Sequence, residues 1–161
     1  MVADLRVESI MTHGALMVGR DTTIGELARI MVEHGVSGLP VCEDGRLVGI
    51  VTETDVISHE INPSPPVFIT FLDAIFKLPW DESDEDLRRV LASTAGELMT
   101  ENVVTATPDM TVHEAATLMY QRKANPLPVV DAMGKVVGIV SRSDIIRLIA
   151  ESEAAAARTN G

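Results

Sequence analysis

Residues 47–55 read LVGIVTETD and residues 136–144 read VVGIVSRSD, so nearly the same nine residues occur twice in a chain of 161. The likeness spreads outward in both directions, until segment 10–58 lies over segment 98–147. Met11 matches Met99 at a separation of 88, whereas Asp55 matches Asp144 at 89. The extra residue falls where EDGR in the first copy becomes DAMGK in the second. A repeat of this length is one supersecondary unit used twice, each copy needing the other to complete a core.

Both copies parse alike. Thr23 precedes Glu26 by three residues and Thr111 precedes Glu114 by three, the spacing of a capping box, which predicts a helix start at each. Ile24, Leu27, Ala28 and Met31 then recur with helical period, as do Val112, Ala115, Ala116 and Met119, and these stripes are candidate core faces. LPVC, EDGR and LVGIV follow in the first copy, and LPVV, DAMGK and VVGIV in the second, each predicting a hairpin of short buried strands. TETDVIS and SRSDIIR open a further helix, with an Asp in its first turn. The unit is therefore strand, helix, strand, strand, helix. The fold class is α/β (α+β), with repeats at 1–59 and 95–161 related by a pseudo-two-fold axis.

Residues 60–94 are a different text. Pro63, Pro65 and Pro66 interrupt regular structure. Phe68, Phe71, Leu72, Ile75 and Phe76 share one helical face, and Leu87, Val90 and Leu91 another, so two short helices are expected around Pro79. The run DESDED before Leu87 reads as a solvated helix start.

Composition narrows the function. Apolar residues make up 46% and charged residues 23%, which is globular. The net charge of −11 repels phosphate backbones and anionic lipid, so neither nucleic acid nor membrane is an expected partner. The opening MVADLRVESI is unlike a signal peptide, and a cytoplasmic location is expected. His13, His34, His59, His113 and Cys42 show no metal-ligand spacing. Cys42 follows LPV in an expected strand and reads as a buried, inert thiol. GRDTTIGE lacks the Lys and the spacing of a P-loop, and no nucleophile and base constellation marks an enzyme.

The repeated phrase is the chemical candidate. Gly49 removes a side chain where another group can approach the backbone. Thr52, Thr54 and Asp55 then stand at a strand-to-helix junction, and Ser141, Ser143 and Asp144 repeat the set. Two readings fit these residues. They cap the last helix of each unit, or their hydroxyls and the junction N–H groups meet phosphate while the carboxylate accepts from a ribose diol.

SGLPVCEDGRLVGIVTETD and NPLPVVDAMGKVVGIVSRSD, each preceded by MT and a capped helix, resemble the CBS domain, named after cystathionine beta-synthase. A tandem pair resembles a Bateman module. The resemblance implies a non-catalytic regulatory role, with AMP, ADP, ATP or, as a lesser candidate, S-adenosylmethionine bound in clefts between the repeats. It implies that Val36, Ser37, Gly38 and Leu39 frame an adenine whose ribose and phosphate meet Ser141, Arg142, Ser143 and Asp144. In the pseudo-symmetric cleft, Ala124, Asn125, Pro126 and Leu127 would face Thr52, Thr54 and Asp55. Family members that sense nucleotides often carry basic residues where this chain has Ser37, Gly38, Asn125 and Pro126. Arg142 stands where the first copy has Glu53, and segment 1–58 carries four basic and nine acidic residues against six and eight in 95–161. The Asp144 cleft is therefore expected to bind an adenine nucleotide more strongly. The family also implies a homodimer and, for want of an effector domain, a separately encoded partner. The alternative is a ligand-free dimeric interaction module that uses the aromatic insert.

Overall fold

The structure, a computed structural model, describes residues 4–58 and 92–159. The helices expected around Pro79 and most of the aromatic insert lie outside the described residues. The first copy supplies β1 (Thr12–His13), α1 (Ile24–His34), β2 (Gly38–Glu43), β3 (Arg46–Thr52) and α2 (Glu53–Ser58). The second supplies α3 (Ala95–Leu98), α4 (Val112–Arg122), β4 (Leu127–Val130), β5 (Val136–Val140) and α5 (Arg142–Thr159).

Helices α1 and α4 begin where the capping boxes place them. Glu26 N donates to Thr23 Oγ1 at 3.3 Å while Thr23 N donates to Glu26 Oε2 at 2.9 Å. Thr111 and Glu114 reproduce the exchange at 3.1 and 2.8 Å. Helix α1 ends at Gly35, whose φ of 61° lies in the left-handed region that favours glycine. Ile24, Leu27 and Met31 are buried along α1, and Val112, Ala115 and Met119 along α4, whereas Ala28 and Ala116 are half-buried at the stripe edges.

Strands β2 and β3 form a two-stranded sheet whose tight turn puts Asp44 at φ 48° and Gly45 at φ 77°, the left-handed pair that suits a two-residue hairpin. The extra residue of the second copy changes that turn. Asp131 Oδ1 accepts from the N–H groups of Met133 and Lys135, both at 2.9 Å, and the register of β4 against β5 shifts between Val129 and Val130.

The chain divides into two compact units, and these cut across the sequence repeats. The first unit holds the described residues of Met17–Glu43 and Val48–Glu101; the second holds those up to Leu16, Asp44–Leu47 and those from Asn102 onward. Strand β1 of the first copy thus pairs antiparallel with β5 of the second, Thr12 opposite Ile139, in a sheet of order β1-β5-β4. Thr100 of the second copy bridges Ile50 of the first. The residues ahead of each MT are exchanged too. Val7 N donates to Met110 O and Val112 N to Leu5 O, both at 2.8 Å, while Ala95 N donates to Thr22 O at 2.7 Å and Ile24 N to Ser93 O at 2.8 Å. The β4–β5 sheet therefore receives its outer strand from the first copy, and the β2–β3 sheet receives a single bridge from the second.

The cores show the same exchange residue for residue. Val18, Leu27, Met31, Leu39, Val41 and Val51 of the first copy bury Ala95 and Met99 of the second. Ala106, Ala115, Met119, Leu127, Val129 and Val140 bury Val7 and Met11 in return. Each exchanged segment is thus anchored by two apolar side chains withdrawn from water, the dominant stabilising term in such a small core. Among the described residues no helix is long and apolar enough to cross a membrane.

Candidate functional site

The repeated phrase ends at two strand-to-helix junctions, one in each unit. In the first, Thr52 N and Thr52 Oγ1 both donate to Asp55 Oδ2, at 2.7 and 2.9 Å, and Asp55 N returns a bond to Thr52 Oγ1 at 3.3 Å. In the second, Ser141 N and Oγ donate to Asp144 Oδ2, both at 2.8 Å, while Asp144 N donates to the Ser141 carbonyl at 3.1 Å. The capping reading is realised in full at Thr52, with an Asp taking the place of the usual Glu, and by its carboxylate half alone at Ser141, where Asp144 N meets the carbonyl and not the hydroxyl.

Capping uses one hydroxyl and one carboxylate oxygen per junction. Thr54 and Ser143 are exposed, and their hydroxyls make no hydrogen bond among the described residues. The second oxygen of each Asp differs. Arg147 Nη1 donates to Asp144 Oδ1 at 3.2 Å, and Asp144 is only 7% exposed. Asp55 is half-buried, and among the described residues nothing meets its Oδ1.

Each junction is tied to the loop that precedes the first hairpin strand of its own copy. Glu53 N donates to the Ser37 carbonyl at 3.0 Å, and Arg142 N donates to Asn125 Oδ1 at 2.8 Å. A backbone carbonyl in one copy is thus replaced by a side-chain amide in the other. Ser37 is thereby joined to the junction of Thr52 and Asp55, and Asn125 to the junction of Ser141 and Asp144. Leu39 and Leu127 are core residues, 1% and 0% exposed, so they set the loop rather than offer a surface. Arg142 reaches the junction through its backbone, and its side chain lines a groove between α4 and α5.

Three expectations are corrected here. The junction amides of Thr52, Glu53 and Asp55 are not free, because Asp55, Ser37 and Thr52 accept from them. The slot at Gly49 is filled from within the protein: a Cβ there would lie 2.8 Å from Met99 Cγ. Cys42 is half-buried rather than buried, with Sγ 3.5 Å from the Met17 sulfur, and burial pushes its thiol above the ordinary cysteine value. That shift keeps the thiol protonated and unreactive, as expected of an inert cysteine. Among the described residues no cluster of His, Cys, Asp and Glu could hold a metal. Sequence reasoning missed the Asn125 link, which joins residues 17 apart, and the Arg147 contact, which the three-residue spacing along α5 could have signalled.

Comparison with known proteins gives this arrangement its relatives. Uncharacterized protein MJ1426 of Methanocaldococcus jannaschii is 34% identical over 143 residues, covering 83% of this chain and 85% of that protein. The chain spans only about a quarter of the length of two other relatives. The CBS domain pair of MJ0100, solved with 5′-methylthioadenosine and S-adenosyl-L-methionine, superposes with a TM-score of 0.68 at 28% identity, over 92% of this chain and 98% of that one. CBSX2, a chloroplastic protein of Arabidopsis thaliana solved with AMP, gives 0.65 at 26% identity over the same shares. The CBS domain pattern itself matches residues 7–62 and 95–151, each match closing on one of the two capped junctions, and the chain belongs to the CBS domain family as a tandem pair.

Proposed function

We propose that this protein is a non-catalytic regulatory module that binds an adenosine-containing ligand, AMP, ADP or ATP ahead of S-adenosylmethionine, and reports its level to a separately encoded cytoplasmic partner. One observation carries this reading. Both junctions keep an exposed hydroxyl, Thr54 or Ser143, beside a capped Asp, in a fold whose solved relatives hold adenosine compounds. The proposed contacts remain those the family resemblance implies, Val36, Ser37, Gly38 and Leu39 with Ser141, Arg142, Ser143 and Asp144, and Ala124, Asn125, Pro126 and Leu127 with Thr52, Thr54 and Asp55. A ligand regulates only if it binds one conformation better than another.

Thermal unfolding with AMP, ADP, ATP and S-adenosylmethionine in turn tests the proposal. Ligand at about 100 times its dissociation constant adds roughly 2.7 kcal/mol, a shift of several degrees in a chain of this size. The Asp55→Ala, Asp144→Ala variant loses helix caps as well as ligand contacts, so its shift is measured against its own ligand-free melting. A shift in the wild type that vanishes in the variant supports the reading. No shift with any of the four compounds rejects it.

A homodimer accompanies this function. Val32 and Tyr120, at equivalent positions of α1 and α4, are 83% and 86% exposed, and Ile57 and Ile146, equivalent in α2 and α5, are 44% and 65% exposed. Large apolar side chains left in water at the same places in both copies support that reading. The aromatic insert of the ligand-free alternative lies outside the described residues.

A further inference from the structure

We infer that Arg147 makes the two junctions unequal toward a ribose, the Asp55 junction accepting both hydroxyls of a vicinal diol and the Asp144 junction only one. The inference rests on the adenosine reading proposed above and adds a residue that sets its selectivity.

An ionised carboxylate offers about four lone-pair sites. At the first junction Thr52 N and Oγ1 take two of them, both on Asp55 Oδ2, and among the described residues nothing takes those of Oδ1. At the second, Ser141 N and Oγ take the same two on Asp144 Oδ2, and Arg147 Nη1 takes a third on Oδ1 at 3.2 Å. Two ligand hydroxyls can therefore be met at Asp55 and one at Asp144. The difference comes from one position: three residues after its Asp the first copy has Ser58, which brings no cation, where the second has Arg147.

The Asp144 side chain is 8% exposed, so the ion pair is screened less than one at the surface, whereas the Arg147 side chain is 62% exposed and reaches Asp144 from the solvent side. Both line a groove of about 290 Å³ whose apolar wall is Leu5, Ile10 and Leu148. The Ser9 hydroxyl of this groove is already given to the Arg6 carbonyl at 2.7 Å, and Glu151, its other charged group, is exposed one turn along α5. Asp144 is thus the buried acceptor of the groove, and Arg147 is the group that limits it. For a diol, the order of the two junctions is the reverse of that expected from Arg142 and the charge of the two segments.

Calorimetric titration of the full-length chain with AMP, ADP, ATP and S-adenosylmethionine, and then with the 2′-deoxy counterpart of whichever binds, tests this. Asp144→Asn leaves a carboxylate at the Asp55 junction alone, and there the 2′-deoxy compound should bind roughly tenfold or more weakly, the loss of one hydrogen bond to a charged group. Asp55→Asn leaves a carboxylate at the Asp144 junction alone, and there the penalty should be at most about threefold, because the 3′-hydroxyl fills the single remaining site. Adding Arg147→Gln to Asp55→Asn should tighten binding of the ribose compound and raise its 2′-deoxy penalty to roughly tenfold. Adding Arg147→Lys instead, which keeps a cationic donor, should leave the penalty small. A purely structural role for Arg147 would weaken both compounds alike and leave their ratio unmoved. A penalty as large at Asp144 as at Asp55, or one that Arg147→Gln leaves unchanged, overturns the inference alone. No binding of any of the four compounds to the wild type overturns the adenosine reading itself.

Discussion

Met99 occupies the space that Gly49 leaves open: a Cβ on Gly49 would fall 2.8 Å from Met99 Cγ. Met11 stands over Gly138 in the same way, where a Cβ would lie 2.7 Å from the sulfur and 2.8 Å from the Thr12 carbonyl oxygen. The glycine of the repeated phrase in each copy is therefore cut to receive the methionine of the other copy's MT.

Gly138→Ala is expected to destabilise by about 1–3 kcal/mol, and more than Gly49→Ala, because overpacking against a backbone oxygen has less room to relax than overpacking against a methionine side chain. Double-mutant cycles by urea unfolding, with Met99→Ala and Met11→Ala, should give the larger coupling for Gly49 and Met99. Equal losses and equal couplings at the two glycines would contradict this account.

Deleting residues 1–13 should loosen the second copy rather than the first. The deletion removes Val7 and Met11 from the core that contains Leu127 and Val140, and strips β1 from β5. Hydrogen exchange should show protection lost over Leu127–Val140 and kept over Gly38–Val51. Loss confined to the first copy would mean that the exchange of segments does not hold in solution.

Thr52→Ala should cost about 0.5–2 kcal/mol without any ligand, since its hydroxyl accepts from Asp55 N at the helix start, and Ser141→Ala should cost less, since its hydroxyl only donates to Asp144. Denaturant midpoints of the ligand-free protein check this. A loss that appears only when an adenosine compound is present would assign the hydroxyls to the ligand instead of the helix.

The capping carboxylates also predict an acid dependence. Glu26 and Glu114 are held below the ordinary glutamate value, chiefly by the backbone N–H groups of Thr23 and Thr111 and then by their hydroxyls. A carboxylate with a lower pKa folded than unfolded contributes stability that is complete above its unfolded value, near 4.5, and that fades as pH falls toward the folded one. Glu26→Gln and Glu114→Gln should therefore flatten the loss of stability below about pH 4.5. Parallel acid limbs in wild type and variants would rule this out.

Much of this molecule could be read from local pattern. The caps at Thr23 and Thr111 and the apolar stripes through Leu27 and Met119 depend on neighbours within a few residues, so spacing alone reveals them. The Asp-Gly turn after Glu43 is of the same kind, because left-handed φ angles restrict which residues can stand there. Thr94 and Glu97 repeat the capping-box spacing at α3, a start signal that was equally open to reading. The candidate site was legible as residue types but not as roles. Thr52 and Thr54 look interchangeable in sequence, and only the structure separates the hydroxyl that caps α2 from the one left exposed.

The sequence by itself determined that one unit occurs twice, where its helices begin, and which side chains must leave water. Only the tertiary structure decided which copy each segment completes. A two-residue strand such as Thr12–His13 carries no local mark of its partner, and Met11 and Met99 fit either copy by composition. Which sheet they join depends on backbone hydrogen bonds and on glycine-shaped space more than a hundred residues distant for Gly138 and fifty for Gly49, contacts that exist only once the chain has closed on itself.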